Sequence, residues 1–323
     1  MQQPSAVMHA DWSIHPKKRW MAKATRLGGR WLVEGPWLVP TPADWVAALL
    51  GQSAAADASV VVGFDFPIGV PAAYAEVAGI PSFPWLLARL VDPEWAPVLD
   101  VCNSADEISH RRPFYPYATG GKVRLHLLDG LGLLDPRDLL RLCERPQTYR
   151  PAASPLFWTL GAKQVGKAAI TGWREVLMPL LQQAPARVGL WPFDAPFAQL
   201  CRDKSLIIIE TYPGDVYHRL GFPKPGSWSK QKQVDRRRRG IETHSWLADK
   251  PFDLDDGVRA QLDDGFGSKS DGEDRFDAVI GLLGMLGTIA AGEADLLPSD
   301  DQMRLGREGW IFGQDPATEK PLA

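Results

Sequence analysis

The chain has 323 residues, a formal net charge of −3, 45% hydrophobic residues and 23% charged residues, a balance ordinary for a globular enzyme able to bury a full core. The near-neutral charge excludes a dedicated nucleic-acid coat protein and leaves room for an enzyme with one local basic groove. Thirteen Trp and 28 Pro point to rigid, aromatic-rich loops. Cys102, Cys143 and Cys201 are widely spaced and in no metal-like pattern, which predicts buried free thiols in a reducing cytosol. Met1 to Ser5 carry no basic or apolar leader pattern, and no apolar run reaches the roughly 18 residues that span a bilayer. The expectation is a soluble cytoplasmic protein without a membrane partner.

Ala6 to Ile14 read as a first strand with Asp11 and Ser13 near its end. Trp20–Arg26 and Trp31–Val39 flank Gly28-Gly29, which is hairpin chemistry, so the first three strands read as a meander. Thr41 is placed to cap a helix bearing Trp45, Val46, Leu49 and Leu50 on one face. Val60 to Phe64 is an apolar run long enough for a strand buried on both faces, and it ends at Asp65. Residues 71 to about 185 carry Pro clusters and short helical patterns, too long for a loop, and read as a mostly helical insertion covering the sheet crevice. Val188–Trp191 reads as a short edge strand. Leu206 to Ile209 form a second doubly buried strand ending at Glu210, followed by a helical turn over Asp215–Leu220. Lys224 to Arg239 is polar. An apolar helix runs from about Asp271 to Ala291, and the Pro- and charge-rich residues after Gly292 read as a surface tail. One domain is expected, with its core in residues 5–70 and 186–292.

Two apolar strands thus end in an acid and a proline turn, where open α/β sheets place their ligand crevices. Asp11 ends a third. In the last helix, Ser270 and Glu273 have capping-box spacing, and Asp274, Asp277, Gly281 and Gly284 share one helical stripe. The two glycines would let the helix backbone press close to a sheet and bring the two acids to the strand ends. Each acid also has a plain structural role available. Asp274 can complement the helix dipole, Asp65 and Asp11 can form turns, Asp277 can be a surface acid, and Glu210 can pair with an arginine of the insertion. Together, Asp11, Asp65, Glu210 and Asp277, with Asp274 beside them, form an oxygen-only set suited to Mg²⁺ or Mn²⁺. Two such ions about 4 Å apart can activate water and stabilise the leaving oxygen of a phosphodiester.

The densest positive charge runs from Lys224 to Lys232 and on through Arg236–Arg239. Lys230, Lys232 and Arg236 are candidate phosphate contacts and Trp228 a candidate base-stacking residue, the alternative being a solvated helix face. Lys17-Lys18-Arg19 can extend the same patch. His15, His110, His126, His218 and His244 have no zinc spacing. There is no Gly-x-Ser-x-Gly elbow, Walker loop or Gly-x-Gly-x-x-Gly fingerprint. Gly161 to Lys167 reads as an insertion loop that can contact substrate.

The order of three strands, helix, acid-ended strand, later strand and acidic helix resembles the ribonuclease H-like fold. Asp274-Arg275-Phe276-Asp277-Ala278 resembles the last-helix motif of bacterial Holliday-junction resolvases. Gly63-Phe64-Asp65-Phe66-Pro67-Ile68-Gly69, Glu210-Thr211-Tyr212-Pro213, Lys230–Arg239 and Asp277-Ala278 together resemble domain-of-unknown-function family 429, regarded as predicted ribonuclease H-like nucleases. That resemblance implies metal-site positions for Asp11, Asp65, Glu210 and Asp277, with Asp274 as an adjunct. The family pattern starts Gly-hydrophobic-Asp, where this chain has His9-Ala10-Asp11.

The expectation is an α/β protein of ribonuclease H-like type, a mixed sheet flanked by helices with a large helical insertion. Its leading function is a metal-dependent nuclease acting on DNA or RNA. Hydrolysis of a small nucleotide or phosphorylated metabolite, and non-catalytic nucleic-acid or partner binding, remain open, as does the oligomeric state.

Overall fold

The computed structural model describes residues 3–116, 125–161, 164–298 and 301–319. The chain divides into two compact units. The first comprises Met1–Asp65, Ala184–Leu296 and Ile311–Gln314, and the second Phe66–Gln183, Leu297–Trp310 and Asp315–Ala323. The boundary therefore follows directly on the Asp65 carboxylate.

The first unit is an α/β structure built on a seven-stranded mixed sheet. Its strands are β1 Ala6–Asp11, β2 Trp20–Leu27, β3 Arg30–Leu38, β4 Val60–Phe64, β5 Val188–Leu190, β6 Leu206–Glu210 and β7 Phe252–Leu254, in spatial order β5-β6-β4-β1-β2-β3-β7. The meander is present: β1–β2 and β2–β3 are antiparallel. Gly28 (φ 55°) and Gly29 (φ 88°) supply the left-handed backbone that a two-residue hairpin needs. β4 runs parallel to both β1 and β6, and β5 parallel to β6. β1, β4 and β6 are buried along their whole length, as their unbroken apolar character requires.

Helices cover both faces. Helix α1, Pro42–Ala55, starts where Thr41 accepts from the Asp44 amide, and buries Trp45, Val46, Leu49 and Leu50. Trp45 packs against Phe64 and stacks on Trp12. Helices α2 Phe197–Asp203, α3 Pro213–Arg219, α4 Gln233–Leu247 and α5 Asp256–Asp264 follow. Helix α6, Gly272–Ala291, lies on the opposite face, where Gly63 is tight against Met285 and Gly281 against His9. Phe276, Val279, Ile280, Leu283 and Leu286 are fully buried.

Several expectations are corrected. The α6 capping box does not form, because Asp271 takes the cap position in helical backbone without a side-chain bond. Only Gly281 of the glycine pair faces the sheet; a Cβ at Gly284 would strike Val216 of α3. Arg236–Arg239 of the polar basic run lie inside α4, two of them, Arg236 and Arg239, buried rather than on a solvated face. β7 and α5 were not anticipated: β7 has three residues, too few for a periodic signal, although Asp255 caps α5 through the Val258 amide. The tail is no surface wrap. Residues 302–308 are helical, and Ile311 and Phe312 are buried, with Ile311 bridging to Glu210.

Within residues 66–183, the described regular elements of the second unit are helices, including Ala72–Ala78, Phe83–Arg89, Leu125–Leu131 and Val165–Gly172. Trp173 Nε1 donates to Pro67 O at 2.7 Å. The Glu308 carboxylate accepts from the amides of Ala72 and Leu142 at 3.0 and 2.6 Å. Of the expected Gly161–Lys167 loop, Ala162 and Lys163 lie outside the described residues, and Val165 onward is helical. Cys102, Cys143 and Cys201 are buried free thiols. Among the described residues no helix is long and apolar enough to cross a membrane.

Candidate active site

Strand parity decides which acids can meet. Successive side chains along a strand alternate between faces, and the parallel registers align His9 with Gly63 and Ile209, and Ala10 with Phe64 and Glu210. His9 and Gly63 face α6, so Asp11, two residues on from His9, faces α6 as well. Glu210 shares the phase of Phe64 and is turned toward α1.

Asp11 is 8% exposed and its carboxyl is hydrogen-bonded to that of Asp65. Asp65 Oδ1 also accepts from the Trp12 amide at 2.6 Å. Ionised carboxylates only accept hydrogen bonds, so a bond between two of them requires a proton. The electrostatics agree. Burial, then the charges of Asp65 and Asp277, hold Asp11 well above the usual carboxylate range. Burial pushes Asp65 up to about 6 against the opposing Trp12 and Asp11 hydrogen bonds.

Asp277 approaches from α6 and is 2% exposed. Both its oxygens are engaged: the Tyr217 hydroxyl donates to Oδ1 and the Lys230 ammonium to Oδ2. The Lys230 side chain is 43% exposed overall, with its ammonium on the Asp277 carboxylate. Burial alone would lower its pKa, but Asp277, Tyr217 and Asp11 together raise it well above the ordinary lysine value. Burial and the Asp277 charge push the Tyr217 hydroxyl up. Asp274, one turn before Asp277, is raised to about 6 by burial, opposed by Lys18 and Lys230, and its Oδ2 is buried without a partner. One ammonium, that of Lys230, thus acts on Asp11, Asp65, Asp274 and Asp277 together.

Beneath the acids, His9 is wholly buried. Its Nδ1 donates to Ala278 O at 3.0 Å, and burial lowers its pKa to about 4, so the ring is neutral. It is packed so closely under α6 that only glycine fits at position 281.

No family model, curated protein or solved structure matches the chain.

The structure therefore brings together Asp11, Asp65, Asp277, Asp274 and Lys230. It leaves Glu210 outside, on the other face, with its carbonyl accepting from the Phe312 amide at 2.9 Å. Arg236 is not available to phosphate. It is 1% exposed and its guanidinium donates to the carbonyls of Gly265, Lys230 and Gly267. Trp228 packs edge-on against Tyr217, Phe222 and Phe276, and its Nε1 donates to Pro223 O, so it is part of the wall rather than a free stacking platform. Lys232 is exposed, as are Arg237, Arg238, Lys17 and Lys18. Arg19 is buried, its guanidinium 4.1 Å over the Trp12 ring.

Sequence reasoning missed Tyr217 and His9. Tyr217 falls one turn into α3, and its only advance signal was an aromatic in the turn that follows an acid-ended strand. His9 was hidden within a strand pattern.

Among the described residues no three His, Cys, Asp or Glu side chains stand together so as to hold a metal ion by themselves. The arrangement has one proton-linked carboxyl pair, one carboxylate held by a lysine and a tyrosine, and a buried, partnerless oxygen on Asp274.

Proposed function

We propose that the chain is a divalent-metal-dependent phosphodiesterase acting on nucleic acid, of the ribonuclease H-like type and related to domain-of-unknown-function family 429. The observation that carries this reading is the direct carboxyl–carboxyl contact of Asp11 and Asp65 from two parallel strands, with Asp277 of the last long helix near enough for its charge to act on both. A meander, a helix and an acid-ended strand parallel to β1, followed later by an acid-bearing helix, supports the fold assignment.

The residues fit a hard cation. The donors are carboxylate oxygens, and Asp11 and Asp65 already approach within a hydrogen bond of each other. Mg²⁺ commonly binds through one or two carboxylates plus waters and substrate phosphate, so Asp11 and Asp65 would hold it. Bound there, the cation supplies an activated water and neutralises charge on the phosphodiester. The chain's own groups do the rest. Tyr217 and Lys230 fix the Asp277 carboxylate, and the Trp12 amide orients Asp65. Lys18, near enough to act on Asp274, and exposed Lys232, Arg237 and Arg238 attract a phosphate backbone. That positive fringe favours a polymer over a small metabolite.

The test is cleavage of labelled single- and double-stranded DNA and RNA in Mn²⁺ or Mg²⁺, with Asp65→Asn as control. Metal-stimulated cleavage lost in the variant is expected. Equal cleavage by both proteins, or none with any substrate and metal, sinks the proposal.

A further inference from the structure

The four acids do not share one environment, and the difference bears on how many cations they take. Asp11 and Asp65 are bonded carboxyl to carboxyl, and the Lys230 charge acts on both from a distance. Asp277 has both oxygens engaged, one by the Tyr217 hydroxyl and the other by the Lys230 ammonium. Lys230 is not a loose surface lysine that strays onto an acid. Its carbonyl is gripped by Arg236 Nη1, and Arg236 is itself locked to Gly265 O at 2.8 Å and Gly267 O at 2.6 Å. The backbone that carries the ammonium is therefore anchored in the fold. A divalent ion arriving at Asp277 would have to evict it and leave a lysine without its carboxylate in a half-buried setting, which is costly.

We infer that the site holds one divalent cation, on Asp11 and Asp65, and that the Lys230 ammonium permanently takes the place of a second cation against Asp277. This rests on the metal-dependent reading above and replaces the expectation of two ions. An ammonium is a compact point charge with three donors, so it neutralises Asp277 without contributing a coordination site. Asp274 completes the picture: its buried, partnerless oxygen faces the field of Lys18 and Lys230, where a second divalent ion would stand close to two lysines. Removing the Lys230 charge should open that position.

Mn²⁺ binding to the whole protein tests this, with stoichiometry from equilibrium dialysis and the spin state of the bound ions from electron paramagnetic resonance. Wild type is expected to bind one ion per chain with the spectrum of an isolated Mn²⁺. Lys230→Met, checked for folding by circular dichroism, is expected to bind two with a spin-coupled spectrum. Lys230→Arg should stay at one. Two coupled ions in wild type would overturn the inference and leave the metal-dependent reading standing. So would a Lys230→Met protein that is folded and stays at one ion. No ion bound to either protein at millimolar Mn²⁺ would overturn both. Should Lys230→Met fail to fold, the wild-type stoichiometry and spectrum decide alone.

Discussion

β4 and β6 are neighbours in the sheet, equally buried, equally apolar and each followed by an acid and a proline turn. Their acids nevertheless have different fates. Glu210 is the last residue of its strand and, in register with Phe64, is turned toward α1. Asp65 comes one residue later and reaches Asp11 on the α6 side. A single step along a strand reverses the face, so two sequence patterns that look alike place one carboxylate in the cluster and the other outside it.

The strongest way to break this contrast is by activity. Asp65→Asn should lower metal-stimulated hydrolysis by more than about a hundredfold, the upper end for partners that merely support a metal ligand. Glu210→Gln should stay within a few-fold of wild type per folded molecule. Equal loss in both variants would mean that the face on which Glu210 lies is immaterial.

Next in size is the packing that brings α6 to the Asp11 side. Gly281→Ala drives a methyl into the His9 ring and should cost about 3 kcal/mol or more in unfolding free energy. Gly292→Ala, past the helix end with open space around it, should cost less, only the strain of its left-handed backbone. Similar denaturation midpoints for the two would remove the close approach of α6 from the account.

Stability against pH sharpens the same contrast. In the absence of metal Asp65 takes up its proton near pH 6 in the fold and near 3.8 when unfolded. A raised folded value means that its contribution favours the fold below pH 3.8 and is lost as pH rises through 6. Asn does not titrate, so in chelator Asp65→Asn should exceed wild type by about 2 kcal/mol at pH 7–8, the gap closing as the pH falls to 4. Urea melts at both ends of the range measure it, and a gap that widens on acidification would contradict the assignment.

The smallest effect is expected from Tyr217→Phe. Loss of its hydrogen bond to Asp277 should cost about 1 kcal/mol without altering the Asp11–Asp65 pair. A metal affinity unchanged within about threefold, read by calorimetry, would agree with Asp277 lying outside the coordination of the ion.

Much of the first unit was legible in the sequence. Gly28-Gly29 marked the hairpin, Thr41 marked α1, and the apolar runs of β4 and β6 fixed strands buried on both faces. Asp11, Asp65, Asp274 and Asp277 were recognisable because their strands and helix were. What failed depended on direction and on partners. Glu210 carried the right residue type and position but the wrong parity, and parity relative to a distant strand is set by register, which local pattern does not encode. Arg236 sat in the densest basic run, yet a guanidinium that finds the carbonyls of Gly265, Gly267 and Lys230 is buried by them, leaving Arg237 and Arg238 to solvent. Lys230 read as a substrate contact because nothing local shows a lysine that its ammonium lies within reach of an aspartate 47 residues on.

The returning segment Ile311–Gln314 has a consequence for how the molecule is made. It pairs with Glu210, seats Phe312 against Trp191 and Phe197, and lets Gln314 donate to buried Asp215. A ribosome delivers these residues after every strand of the sheet, so the first unit stays unfinished until they have emerged. A chain released early would keep most of its strands but expose an aromatic seat and a raw strand end, the features by which quality-control proteases sort incomplete products from finished ones.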